Sequence, residues 1–212
     1  MRRIMVIERA DPPRRRLSRV ARRAQLIEAA QDVFGELGYR GATMDLVAQR
    51  SGVARSLLYL HFDSLEDLYL ECVRSARAEL DARFLNASIL NQGDPREQLR
   101  TGITAYFRFV QERGRSWEVL SGGGETPGGR VGEIASELRF RTADQIAALF
   151  HMAVPTVDLE NTSAYAHVVS GGGDQLAHWW RKHPHVALET VVDHLLTVAW
   201  DGLRQLADPQ RA

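Results

Sequence analysis

Apolar residues recur three or four positions apart along most of this chain, and nowhere do they alternate with polar ones over a useful length. That period belongs to helices with one buried face and leaves no segment for a strand. One stripe runs Leu26, Ala30, Val33, Phe34 and Leu37; another runs Leu65, Leu68, Cys72, Ala76, Leu80 and Phe84. Leu99, Ile103, Phe107 and Val110 form a third. A later one takes in Val131, Ile134, Ala135, Leu138, Ile146, Leu149 and Phe150, stopping before Pro155. Local signals punctuate them. Gly38 suits the position after a helix that begins near Ser18. Thr43 suits the N-cap of a short helix that Ser51-Gly52 ends, and another short helix covers about 54–60. Ser64-Leu65-Glu66-Asp67 approximates a capping box, and Asp94-Pro95 reads as N-cap and first helical residue. A short piece near Ser116–Leu120 follows. Two last helices, about 158–182 and 185–207, flank His183-Pro184. The expected fold is all-α, about nine helices, without sheet or internal repeat.

The 212 residues suffice for one large domain or two small ones. We expect a mobile basic arm over 1–17, a small helical head over 18–63 and a larger helical body over 64–212. A turn at Asn91-Gln92-Gly93 and a glycine-rich loop at 121–132 interrupt the body.

The formal net charge is zero, which taken alone argues against polyanionic partners. The distribution reverses that argument. Residues 1–60 hold 12 Arg against 6 acidic side chains, a net of +6, and the remainder carries −6. A cationic front is the footprint of a polyanion binder. No stretch approaches the about 18 apolar residues of a membrane span. Cys72 is the single cysteine, and no zinc-ligand spacing occurs. A cytoplasmic location without metal or other cofactor is the expectation. Cys72 shares a stripe with Leu68 and Ala76 and is expected to be buried. His178, His183 and His185 do not make a coherent metal set.

Helix, Gly38-Tyr39, Thr-capped helix, Ser51-Gly52-Val53 and a short helix form the grammar of a helix-turn-helix, with Gly52 permitting the tight turn. Val53 and Leu58 would pack inward, leaving Arg55, Ser56 and Tyr59 on the side that meets a major groove. Thr43 would offer its hydroxyl and free backbone N–H groups to a phosphate. Residues 22–74 resemble the DNA-binding segment of the TetR/AcrR family of bacterial regulators. The match runs through Phe34-Gly35-Glu36-Leu37-Gly38-Tyr39, Gly41-Ala42-Thr43-Met44-Asp45-Leu46-Val47-Ala48 and Ser51-Gly52-Val53-Ala54-Arg55-Ser56, then Leu58-Tyr59-Leu60-His61-Phe62.

The resemblance implies a homodimer that binds a palindromic operator and is released by a small, largely apolar effector. It implies a repressor and not an enzyme. An activator of the same family, or a helical small-molecule binder or enzyme without operator binding, is the alternative. Carried over by position, Thr43, Arg55, Tyr59 and His61 are phosphate or backbone contacts, and Ala54, Ser56 and Leu60 lie near bases. Leu65 replaces the lysine common in the family and removes a phosphate contact. Leu57 either packs beneath the helix or, like Leu60, meets thymine methyl groups. Arg14, Arg15 and Arg16 either enter a minor groove or form a solvated tail.

Tyr106, Phe107, Trp117, Phe140, Phe150, His151 and Tyr165 are the candidates for an effector pocket, with ordinary core as the other reading of each. In the last two helices, Tyr165, Val169, Gly172, Leu176 and Trp179 keep a 4, 3, 4, 3 spacing, which Trp180 widens. Val191, Leu195, Val198 and Gly202 form a facing stripe. Val169, Gly172, Leu176, Trp179, Trp180, Val191, Leu195, Val198 and Gly202 are thus candidates for a four-helix dimer interface, with monomer core the alternative. Gly171-Gly172-Gly173 either breaks the first of these helices or allows close helix approach.

Overall fold

The computed structural model describes residues 17–90, 94–122 and 127–206. Most of the basic arm, the turn at 91–93 and residues 123–126 of the glycine-rich loop lie outside them. Among the described residues there are nine helices and no strand.

The head begins with α1 (Arg19–Gly41), which Ser18 caps by accepting from the Ala21 N–H. Leu26, Ala30, Val33 and Phe34 face inward as expected, whereas Leu37 is half in solvent. Gly38 has φ 69° and ψ 175°, a backbone state that suits glycine alone. The helix therefore kinks at Gly38 instead of ending there, and one more turn reaches Gly41. Helix α2 (Met44–Ser51) starts where Thr43 Oγ1 accepts from the Leu46 N–H and ends at left-handed Gly52. Helix α3 (Arg55–Tyr59) drives Leu58, fully buried, into the head core with Val47, Ala48 and Phe34.

Helix α4 (Leu65–Leu90) joins head to body. Ser64 Oγ accepts from the Asp67 N–H, and the Asp67 carboxylate reaches back to the Asp63 N–H, one residue before the position a capping box uses. The body contains α5 (Pro95–Glu112), α6 (Gly114–Ser121), α7 (Gly129–Ala153), α8 (Leu159–Arg181) and α9 (Leu188–Leu206). Asp94 and Asp158 cap α5 and α8 through their carboxylates. Helix α7 pairs with α8, α9 lies on α5 and α8, and α6 packs against α1 of the head.

Gly171, Gly172 and Gly173 all lie within continuous helix, which rules out the break. Gly173 faces the subunit interior, where a Cβ would meet Leu195 Cδ2 at 3.3 Å. Gly171 and Gly172 face solvent with nothing near them. Cys72 is fully buried, and burial pushes its thiol well above the ordinary range, which removes the reactive thiolate.

Candidate nucleic-acid interface and ligand cavity

The outer side of α2 and α3 presents a polar face. Thr43, Ala54, Arg55, Ser56, Tyr59 and Leu60 are exposed on it, and His61 is half-buried at its edge. Leu60 is 70% exposed, so it does not serve the core. Leu57 and Leu65 are half-buried, and Leu65 packs against the core. The Arg55 guanidinium is held in place before any DNA arrives. It pairs with Asp45 at 2.9 Å and donates to the Tyr59 hydroxyl at 3.1 Å. Its charge also lies 5.5 Å from the Tyr59 ring centre, a cation–π distance. Asp45 is absent from the residues the sequence assigned to this face. Its signal was an acid in the first turn of α2, where it also favours the helix dipole.

In the body, helices α4, α5, α7, α8 and α9 enclose a cavity of about 490 Å³. Phe84, Leu99, Ile103, Ile146, Leu149, Val169 and Leu195 supply most of its wall. Leu85 and Met152, both largely exposed, mark its mouth. Polar groups are few. Gln98, Thr142, Gln145 and Ser170 join two carboxylates, Asp81 and Asp174, and a phenol, Tyr106.

The two carboxylates differ. Asp81 accepts from Arg77 and from Gln145 Nε2, with Arg141 farther out. Burial pushes its pKa up, but these partners together hold it below the usual carboxylate value. Arg77 is 1% exposed and is also bonded to Thr142 Oγ1 and Gln145 Oε1. Asp174 has no such cation against it. Burial raises its pKa; the Tyr106 hydroxyl, which donates to Oδ1, and His178 only partly oppose that. The same oxygen of Tyr106 accepts from Trp117 Nε1 at 2.9 Å.

Of the seven residues expected to line a pocket, only Tyr106 faces this cavity. The other six lie away from its wall. Phe107, Trp117 and Phe150 are fully buried in the core, and Phe140 is 59% exposed on the outside of α7. Tyr165 instead bonds the Val198 and Ala199 carbonyls of α9. His151 is half-buried outside the cavity wall. Asp81, Gln98 and Asp174 went unseen. Asp174 left one trace, as a polar residue on the inward side of α8 between Gly173 and Ala177.

The nine residues assigned to a subunit interface also divide. Val169, Trp180, Val191 and Leu195 are buried within the subunit, because the inward side of each helix serves its own core. Leu176 and Gly202 are half-buried. Gly172, Trp179 and Val198 face outward, beside exposed Val168. Among the described residues no His, Cys or acidic cluster is arranged for a metal, and no helix is long and apolar enough to cross a membrane.

Residues 26–72 match the family described as bacterial regulatory proteins, tetR family, and residues 95–202 match the tetracyclin repressor-like C-terminal domain. The chain belongs to the TetR family. It is accordingly a DNA-binding transcriptional regulator, of a family that acts as dimers on operator DNA under the control of small ligands. The transcriptional activator FasR of Mycolicibacterium smegmatis is 28% identical over 191 residues, 89% of this chain and 85% of that one. A TetR-like regulator from Rhodococcus sp. RHA1 superposes with a TM-score of 0.74 at 25% identity, covering 89% of this chain and 99% of that one. FadR of Bacillus subtilis, solved with stearoyl-CoA, gives 0.70 at 16% identity over 83% and 96% of the two chains.

Proposed function

We propose that this TetR regulator releases its operator when an acyl chain, carried as a coenzyme A thioester, occupies the body cavity. The observation that carries the reading is one run of contacts. Tyr106 in the cavity wall holds Trp117 of α6, the preceding residue, Ser116, bonds Gln31 of α1, and α1 supports the recognition helix α3. A ligand that displaces Tyr106 acts on the helix that seats the head. Ligand binding needs only to favour a conformer with wrongly spaced heads, and coupling of about 1–3 kcal/mol is typical of such switches. The apolar wall suits an acyl chain, and the FadR neighbour was solved with one.

DNA recognition is assigned to Thr43, Ala54, Arg55, Ser56, Tyr59, Leu60 and His61, with 18–63 as head and 64–212 as body. Two heads would enter successive major grooves about 34–36 Å apart. A second subunit would cover the outward faces of α8 and α9 at Gly172, Trp179 and Val198. Repression follows if the operator overlaps the promoter. Activation is the second reading, favoured by the FasR relative.

Selection of bound DNA from a random library, followed by titration of that DNA complex with stearoyl-CoA, tests the reading. A palindromic site released by the thioester is the expected outcome. A protein that selects no sequence, or one whose complex ignores every acyl thioester, overturns it.

A further inference from the structure

The charges in the cavity wall narrow the effector class, and the argument rests on the cavity being the effector site. Among the described residues that line it there is no Lys, Arg or His, but there are two aspartates. Two guanidinium groups lie behind the wall at Asp81: Arg77, fully buried and engaged by Asp81, Thr142 and Gln145, and Arg141, 3.8 Å from the same carboxylate. Asp81 is thereby neutralised. Asp174 is compensated far less: the Tyr106 hydroxyl donates to it but is itself tied to Trp117, and His178, off the wall, only partly offsets its burial. Apolar wall residues surround this weakly compensated carboxyl.

We propose that Asp174 makes the cavity selective for uncharged, carbonyl-masked acyl chains and against the corresponding free carboxylate. A thioester or ester brings an apolar chain and a neutral carbonyl into this space. A free acid brings a second anion. It must then lose its hydration opposite Asp174 with no cation in the wall to meet it, or one of the two carboxyls must take up a proton at neutral pH. Either route weakens binding. The wall thus separates the activated form of an acyl chain from its hydrolysed form, and the regulator reads the first.

The test compares decanoate, methyl decanoate and decanoyl-coenzyme A on the full-length protein, by calorimetric titration and by release of bound operator. The wild type should bind the ester and the thioester at least about tenfold more tightly than decanoate. Asp174→Asn keeps an acceptor for Tyr106 but removes the charge. It should bring decanoate to within about threefold of the ester while leaving the ester itself nearly unchanged. Gln98→Arg, on the half-exposed part of the wall, places a cation in the same space and should also favour decanoate, which covers the case of an Asn variant that does not fold. Decanoate binding as tightly as its ester to the wild type overturns the proposal, as does a preference that neither variant changes. If no probe binds while the operator is still held, the cavity is not an acyl site, and the proposed effector falls together with this inference.

Discussion

The Ser116 hydroxyl on α6 donates a 2.9 Å hydrogen bond to Gln31 Oε1 on α1, and both residues are buried. Gln31 spends its other group on the Cys72 carbonyl of α4. Three helices that meet between head and body are therefore held by one amide. Nearby, Gly35 lets α6 approach so closely that a Cβ there would lie 2.7 Å from the Arg115 carbonyl oxygen. Ser116→Ala strands a buried acceptor and should cost about 1–3 kcal/mol in denaturant unfolding. It should also weaken the effect of effector on operator affinity more than it weakens operator affinity itself. Matched DNA titrations with and without ligand measure both quantities.

At the DNA face, Arg55→Ala should weaken operator binding and lower the slope of log affinity against log salt by about 1, the signature of one lost phosphate contact. Tyr59→Phe should weaken binding less, because the Asp45 pair still positions the guanidinium. Titrations at several salt concentrations separate the two. An unchanged slope in Arg55→Ala would remove that residue from the phosphate contacts.

For assembly, Val198→Arg changes an outward side chain that is 68% exposed, whereas Val191→Arg puts a charge at a fully buried position. The first should give folded monomers by light scattering with helical circular dichroism intact. The second should lose the fold.

The pH dependence of stability has a definite sign at Asp174. Its folded pKa is raised above the ordinary aspartate value, by burial first. The folded state therefore holds that proton longer than the unfolded chain does. The contribution is fully present below the unfolded value and is lost as pH rises through the folded one. Asp174→Asn, which does not titrate, should gain in melting temperature relative to wild type as pH rises through that window. Melting curves of both proteins from acid to neutral pH check it.

Gly202 faces Tyr165 so closely that a Cβ would lie 2.8 Å from the ring carbon Cζ. Gly202→Ala should displace Tyr165 from the Val198 and Ala199 carbonyls and destabilise the subunit by about 1–3 kcal/mol, the usual cost of overpacking. Thermal unfolding measures it.

Local chemistry was legible in the sequence. Thr43, Ser64 and Asp94 each cap a helix as their local sequence implies, because a cap depends on residues within one turn. The exposed side of α3 was legible for the same reason, since α3 is a single short helix whose inner side is set by Leu58. The cavity was not. Whether Phe140 or Ile146 of α7 meets a ligand depends on how α7 is rotated against α4 and α8, and periodicity does not encode that rotation. Aromatic rings drew attention for their size, yet size favours filled core, as Phe107, Trp117 and Phe150 show. The space left open is walled mainly by aliphatic side chains around one weakly compensated acid.

The clasp of Asp45 and Tyr59 on Arg55 has a kinetic side as well. A free arginine carries about 2 kcal/mol of rotamer entropy, and part of it is already surrendered in the unbound head. On the proposed contact of Arg55 with the operator, little further ordering of that side chain is needed, but a phosphate must first win the guanidinium from Asp45. The head is thus ready in shape and reserved in charge, a combination that penalises lingering on arbitrary DNA more than engagement at a site where several contacts close together.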